Sequence, residues 1–149
     1  MAKLSINEGA VSGYTHTYEV DFNDLIAIGN GGQRTIGKIP AGGAVELCVV
    51  HKLQAAAGST SVVFDIGTTA GDPDEFIDAL DADAMTVPVY NTGDAFTTAE
   101  NVANKLILAG VVAADTDILL EVNDAAVASL TAGKWIIGFR ILDLAQFRA

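Results

Sequence analysis

The stretch Lys134-Trp-Ile-Ile-Gly-Phe-Arg-Ile-Leu-Asp-Leu144 puts Trp135, Ile137, Phe139 and Ile141 on alternate positions. Alternate residues of a strand project to one side, so this period of two predicts a β-strand with one aromatic and aliphatic face. Tyr14-Thr-His-Thr-Tyr-Glu-Val20 alternates in the same way, with Tyr14, His16, Tyr18 and Val20 on one side and Thr15, Thr17 and Glu19 on the other. Thr116-Asp-Ile-Leu-Leu-Glu-Val122 repeats the pattern. Shorter apolar runs at Asp24–Ile28, Thr35–Ile39, Glu46–Leu53 and Ser61–Gly67 also read as strands. They stop at Gly29-Asn-Gly-Gly32, at Pro40-Ala-Gly-Gly43 and at the small-residue turn Ala55–Ser59, turn chemistry that favours chain reversal. The total is about eight strands, with turn signals roughly every eight to twelve residues, which predicts an all-β antiparallel sandwich or barrel. A doubly wound α/β fold would need long helices between the strands, and none is legible.

One short helix is predicted over residues 73–80. Asp72 can cap it, Pro73 suits its first position and Glu75 completes a capping box, while Phe76 and Leu80 share a face. Thr97-Thr-Ala-Glu100 is a second capping-box sequence, although Lys105-Leu-Ile-Leu108 is read as a strand. Residues 1–13 form a polar N-terminal segment, a possible arm to a neighbouring subunit, and residues 14–149 form a single domain.

The chain of 149 residues is half hydrophobic, yet carries a net charge of −11. The charge is local: 13 of 19 acidic residues lie between Asp65 and Asp124, where Lys105 is the sole basic residue. Nucleic acid is not an expected partner, because phosphate contact needs clustered Lys and Arg. The first residues lack the apolar core of a signal peptide, and the longest apolar run, Leu106–Ala114, is about half of a membrane span. No membrane association is expected, and synthesis in a cytoplasm is. A single cysteine, Cys48, rules out a disulfide framework.

Few residues suggest chemistry. Cys48 and His51 are three apart, hence on opposite faces of one strand, which reads as a core thiol and a surface or interface imidazole rather than a metal pair. No Gly-x-Ser-x-Gly elbow is present, so Ser59 and Ser61 are structural. Gly29-Asn-Gly-Gly-Gln-Arg-Thr35 lacks the Gly-Lys-Ser/Thr ending of a phosphate loop and reads as a hairpin loop. Asp72, Asp74, Glu75, Asp78, Asp81 and Asp83 crowd into twelve residues. Such oxygen density suits calcium, with Asp72, Asp74 and Asp78 as candidate ligands; a solvated, helix-capping acidic loop is the plainer reading. No cofactor and no enzymatic activity are expected. Trp135 reads as a core or interface residue rather than a sugar platform.

Two stretches, Val63-Phe-Asp-Ile-Gly-Thr-Thr-Ala-Gly-Asp-Pro-Asp-Glu-Phe-Ile-Asp-Ala-Leu80 and Leu130-Thr-Ala-Gly-Lys-Trp-Ile-Ile-Gly-Phe-Arg-Ile-Leu-Asp-Leu144, together resemble small virion structural proteins of tailed bacteriophages. These are the capsid decoration, or cement, proteins. The resemblance spans roughly Glu46 to Leu144 and carries no active-site residues. It implies a jelly-roll-like β-sandwich, a homo-oligomer, most often a trimer, and attachment to the major capsid protein on the outer surface of the virion. Apolar residues on both faces of Leu47–Val50, Leu106–Leu108, Ile118–Leu120 and Trp135–Ile137 agree with burial of a second face under a helix, a loop or a partner subunit. The alternative is a calcium-assisted carbohydrate-binding β-sandwich, an adhesin or tail-associated module.

Overall fold

The computed structural model describes residues 3–6, 13–97 and 112–144. In chain order the elements are β1 (Lys3–Ile6), β2 (His16–Asp21), α1 (Phe22–Ile28), β3 (Gly32–Ile39), β4 (Gly43–Ala57), β5 (Val63–Gly67), β6 (Ile77–Asp81), β7 (Val89–Tyr90), α2 (Asp94–Thr97), β8 (Thr116–Asn123) and β9 (Ala132–Asp143). One sheet has the order β1-β2-β9-β4-β7 and the other β3-β8-β5-β6. Every pairing is antiparallel.

The pairings follow one rule. The chain forms a long ribbon in which β2 pairs with β9, β3 with β8, β4 with β7 and β5 with β6. Successive rungs fall alternately into the two sheets, and β9–β4 and β8–β5 close each sheet. That wrapped ribbon is a jelly roll, the double-sheet solution that leaves few strand edges open. The all-β antiparallel sandwich expected from the alternation is therefore the fold.

The alternating faces meet at the centre. Trp135, Ile137 and Phe139 are fully buried and Ile141 nearly so, beside Cys48 and Val50 of β4 and Val20 of β2. Phe64, Ile66, Ile118, Leu120 and Val122 face them from the other sheet, all fully buried. Each such side chain contributes about 1.5–3 kcal/mol on burial. Trp135 meets Phe64 edge-on across the sheets at 5.2 Å between ring centres, and its indole N–H donates to the Ala82 carbonyl at 3.0 Å. The polar tip of the largest core residue is thereby satisfied.

Three sequence expectations are corrected. Residues 73–80 are not a helix: β6 runs from Ile77 to Asp81 against β5. Its inward residues, Ile77 and Leu80, are three apart because one extra residue bulges out, with Ala79 at φ 47°. A bulge of this kind imitates the helical period. The would-be capping groups are also used elsewhere: the Phe76 amide donates to the Ile66 carbonyl, and the carbonyls of Asp74 and Glu75 accept the amides of Asp94 and Ala95.

Asp24–Ile28 is not a strand but the body of α1. Asp21 caps it, accepting the amides of Asn23 and Asp24, while Asp24 bonds back to the Asp21 amide. Phe22, Leu25 and Ile28 turn inward at helical spacing, and Gly29 ends the helix at φ 82°. Consequently Gly29-Asn-Gly-Gly32 joins a helix to β3 and is not a hairpin loop. A Cβ at Gly32 would lie 2.0 Å from the Ile28 carbonyl oxygen, so only glycine fits that close return.

The two-residue β7 was unread in the sequence, since Pro88 precedes a run too short to show a period. Residues 3–6 of the expected arm pair with β2 of the same chain, in the register Lys3–Glu19 to Ile6–His16. Residues 1, 2 and 7–12 lie outside the described residues, as do 98–111, on which the second capping box and the strand at Lys105 fall. No helix among the described residues is long and apolar enough to cross a membrane.

Candidate functional site

The outward faces of the two sheets differ in character. In antiparallel pairing, directly opposed residues share a face. On the first sheet Leu47 opposes Arg140, Val49 opposes Gly138, His51 opposes Ile136 and Ala44 opposes Leu142. This face is mainly aliphatic, with Ala44 and Val49 buried and Leu47, Ile136 and Leu142 half-buried, and it carries two ion pairs, Arg140 with Glu46 at 3.5 Å and Lys134 with Glu19 at 2.6 Å.

A short strap crosses that surface. The Thr15 amide donates to the Phe139 carbonyl, and the Thr15 hydroxyl accepts the Ile141 amide at 2.9 Å. Tyr14 then lies flat over Gly138, where an added Cβ would sit 3.1 Å from the ring. The Tyr14 hydroxyl is 2.7 Å from His51 Nε2, and the rings meet edge-on. The Gly13 carbonyl accepts Arg140 Nε at 2.7 Å. Burial raises the Tyr14 pKa above its ordinary value, and the nearby Arg140 partly opposes that rise. Sequence reading did not find this cluster. The available signal was Gly138, a glycine in the middle of an otherwise strong strand, which marks a close approach.

The outer face of the second sheet is acidic. Asp65 on β5 lies directly opposite Glu121 on β8, and Gln33 on β3 lies on the other side of Glu121. Amides hold this row together: Asn123 Nδ2 donates to Asp65 Oδ2 at 2.9 Å and to Glu121 Oε1 at 3.0 Å, and Gln33 Nε2 donates to Glu121 Oε2. The Ala79 amide in the β6 bulge donates to Asp65 Oδ1. Burial raises the Asp65 pKa, and Asp78 and Glu121 add to the rise against those hydrogen bonds.

The three calcium candidates fall into two places. Asp72 is exposed in the loop before β6, and Asp74 beside it has Asp94 as a further acidic neighbour; burial and these charges raise the Asp74 pKa. Asp78 is on β6 and faces Asp65 instead. Among the described residues no three or more His, Cys, Asp or Glu side chains come together so as to hold a metal. Cys48 is fully buried in the core, and burial pushes its thiol pKa far up, while His51 sits on the opposite face. Ser59 donates to Asp124 Oδ1 at 2.8 Å, a loop-fixing contact that the Ala126 amide shares.

The arrangement can therefore present two surfaces, one aliphatic and charge-balanced, the other acidic. Comparison of the chain with protein-family models, curated proteins and solved structures returned no match.

Proposed function

We propose that the chain is a non-enzymatic structural protein of a tailed-bacteriophage virion, which decorates and stabilises the capsid as a homo-oligomer bound to the major capsid protein. The observation that carries this reading is the contrast between the two outer faces. A charge-balanced aliphatic sheet face suits contact with protein, and an acidic face suits exposure to solvent, where net charge maintains solubility. The jelly roll is itself frequent among viral capsid domains, a fold-level analogy that adds weight without assigning a site. Binding of one oligomer to several capsid positions would add weak contacts into firm attachment.

The calcium-assisted carbohydrate reading rested on Asp72, Asp74 and Asp78, which lie in two separate places. The test is co-expression of the chain with the major capsid protein of the same genome, followed by sedimentation and cryo-EM of the shells. Density of this size on the outer shell is the expected result. Shells that leave the chain in the supernatant at every ratio overturn the proposal.

A further inference from the structure

Among the described residues one edge of the sandwich is open, and Lys52 is its single charged residue. β4 runs from Gly43 to Ala57, but β7 pairs with it only at Val49 and Val50. Asn91 extends that pairing by one position, its amide and side chain bonding the backbone of Cys48. From His51 to Ala57, about 23 Å of strand at 3.3 Å per residue, no strand among the described residues pairs on this side. Edges of this kind are usually blunted by charge or cover, because they template pairing with another chain. Lys52 keeps its charge, but its ammonium is drawn to one side by a hydrogen bond to the Asp83 carbonyl, which leaves the stretch from Leu53 to Ala57 without a charged side chain.

The neighbouring surface is apolar. Leu53 is 55 % exposed, Val87 66 % and Tyr90 63 %. Between His51–Leu53 and Met85–Pro88 lies an open cavity of about 130 Å³, the size of a site that holds one small apolar group. Residues 53–64 and 84–93 contain no Asp, Glu, Lys or Arg, although the chain as a whole carries −11.

We propose that this edge is where copies of the chain meet, with the uncharged patches of β4 and residues 84–90 gathered at the common axis. The charge distribution selects the occupant. Two chains of −11 that approach through the Asp65–Glu121 face set carboxylate against carboxylate, which costs free energy. A basic partner would be drawn to that acidic face and away from this edge. The uncharged stretch beyond Lys52 is complementary to the same stretch of another copy, and Leu53 or Val87 of one copy is of a size to enter the cavity of the next. The inference rests on the homo-oligomer in the proposed function and names its contact surface.

The test is light scattering coupled to size exclusion on the full chain, wild type beside Val87→Asp, Leu53→Asp and Ile26→Asp. Ile26 is an exposed apolar residue on α1, outside the patch. The expected result is a wild-type mass that is a multiple of 15.4 kDa, a fall to one chain in Val87→Asp and Leu53→Asp with an unchanged circular dichroism spectrum, and no change in Ile26→Asp. A Val87→Cys variant should form intermolecular disulfides on oxidation, because Cys48 is buried. A single-chain wild-type mass, or an oligomer that survives both patch substitutions, overturns the inference. Shell binding is scored separately: an oligomer that survives both patch substitutions and binds shells sinks only this surface, and a wild-type oligomer that Val87→Asp breaks but that never binds shells sinks only the capsid reading.

Discussion

Glu75 accepts the Thr68 amide at 2.7 Å, reaching back seven residues to hold the turn that follows β5. Its other oxygen receives the hydroxyls of Thr68 and Thr69. The residue expected to cap a helix thus caps a loop. Burial alone would raise its pKa, but the hydrogen bonds from Thr69 and Thr68 outweigh burial and hold it below the ordinary glutamate value. A folded-state pKa below the unfolded one gives stability that is present above the unfolded value, about 4.3, and lost as pH falls through the folded value. Glu75→Gln should cost about 1–3 kcal/mol at pH 7, and the gap to wild type should close as pH drops below about 4. Urea unfolding at both pH values checks this; a gap independent of pH contradicts it.

Gly67 leaves room for that carboxylate. An added Cβ would lie 1.8 Å from Glu75 Oε2 and 2.8 Å from the backbone of Pro73 and Glu75. Gly67→Ala should therefore displace the loop and destabilise by about 1–3 kcal/mol, lowering the melting temperature by several degrees. A melting temperature equal to wild type would show that the loop yields freely.

Trp135→Phe should cost about 2–4 kcal/mol, since it opens a void in the core and leaves the Ala82 carbonyl without its donor. Trp135 is the sole tryptophan, so the variant is followed by circular dichroism. In the wild type, its emission should be that of a buried indole and shift to the red in one step on unfolding.

The Cys48 thiol is fully buried and its pKa is pushed up by that burial. Only a thiolate that reagents can reach is modified readily. Ellman's reagent should label Cys48 no faster than the protein opens, with labelling that rises steeply at the denaturation midpoint. Rapid labelling of the native chain would place the residue elsewhere.

Asp65 behaves oppositely to Glu75. Its raised pKa, caused first by burial and then by Asp78 and Glu121, means that the folded chain holds this proton more tightly than the unfolded chain does. Its contribution to stability is present below the unfolded value of about 3.9 and is lost as pH rises through the folded one. Glu121→Gln removes one repelling charge and should bring the Asp65 titration midpoint down in carboxyl-detected NMR. An unchanged midpoint would mean that the facing charge is screened.

Legibility from sequence followed the length and purity of each period. β9 shows its inward set, Trp135 to Ile141, over four alternations, and β2 and β8 do nearly as well. The pattern misled where structure breaks a period by one residue. The bulge at Ala79 put Ile77 and Leu80 at helical spacing, and the compact Leu25-Ile-Ala-Ile28 run hid a helix whose signal was the Asp21–Asp24 capping box. On the functional side, the separation of Cys48 from His51 followed from strand geometry, whereas the Tyr14–His51 contact joins residues 37 apart in sequence.

The sequence by itself determined that this is an acidic, all-β chain with Trp135, Ile137, Phe139 and Ile141 on one strand face, because alternation and turn chemistry act between neighbours along the chain. Tertiary structure alone decided which strands pair into the jelly roll, that Tyr14 lies across Gly138, and that Glu75 serves Thr68 and Thr69. It also decided that the charges divide into one balanced face and one acidic face. Those outcomes depend on contacts between distant residues, and a hydrogen bond or a packed ring carries no periodic trace of its partner in the sequence.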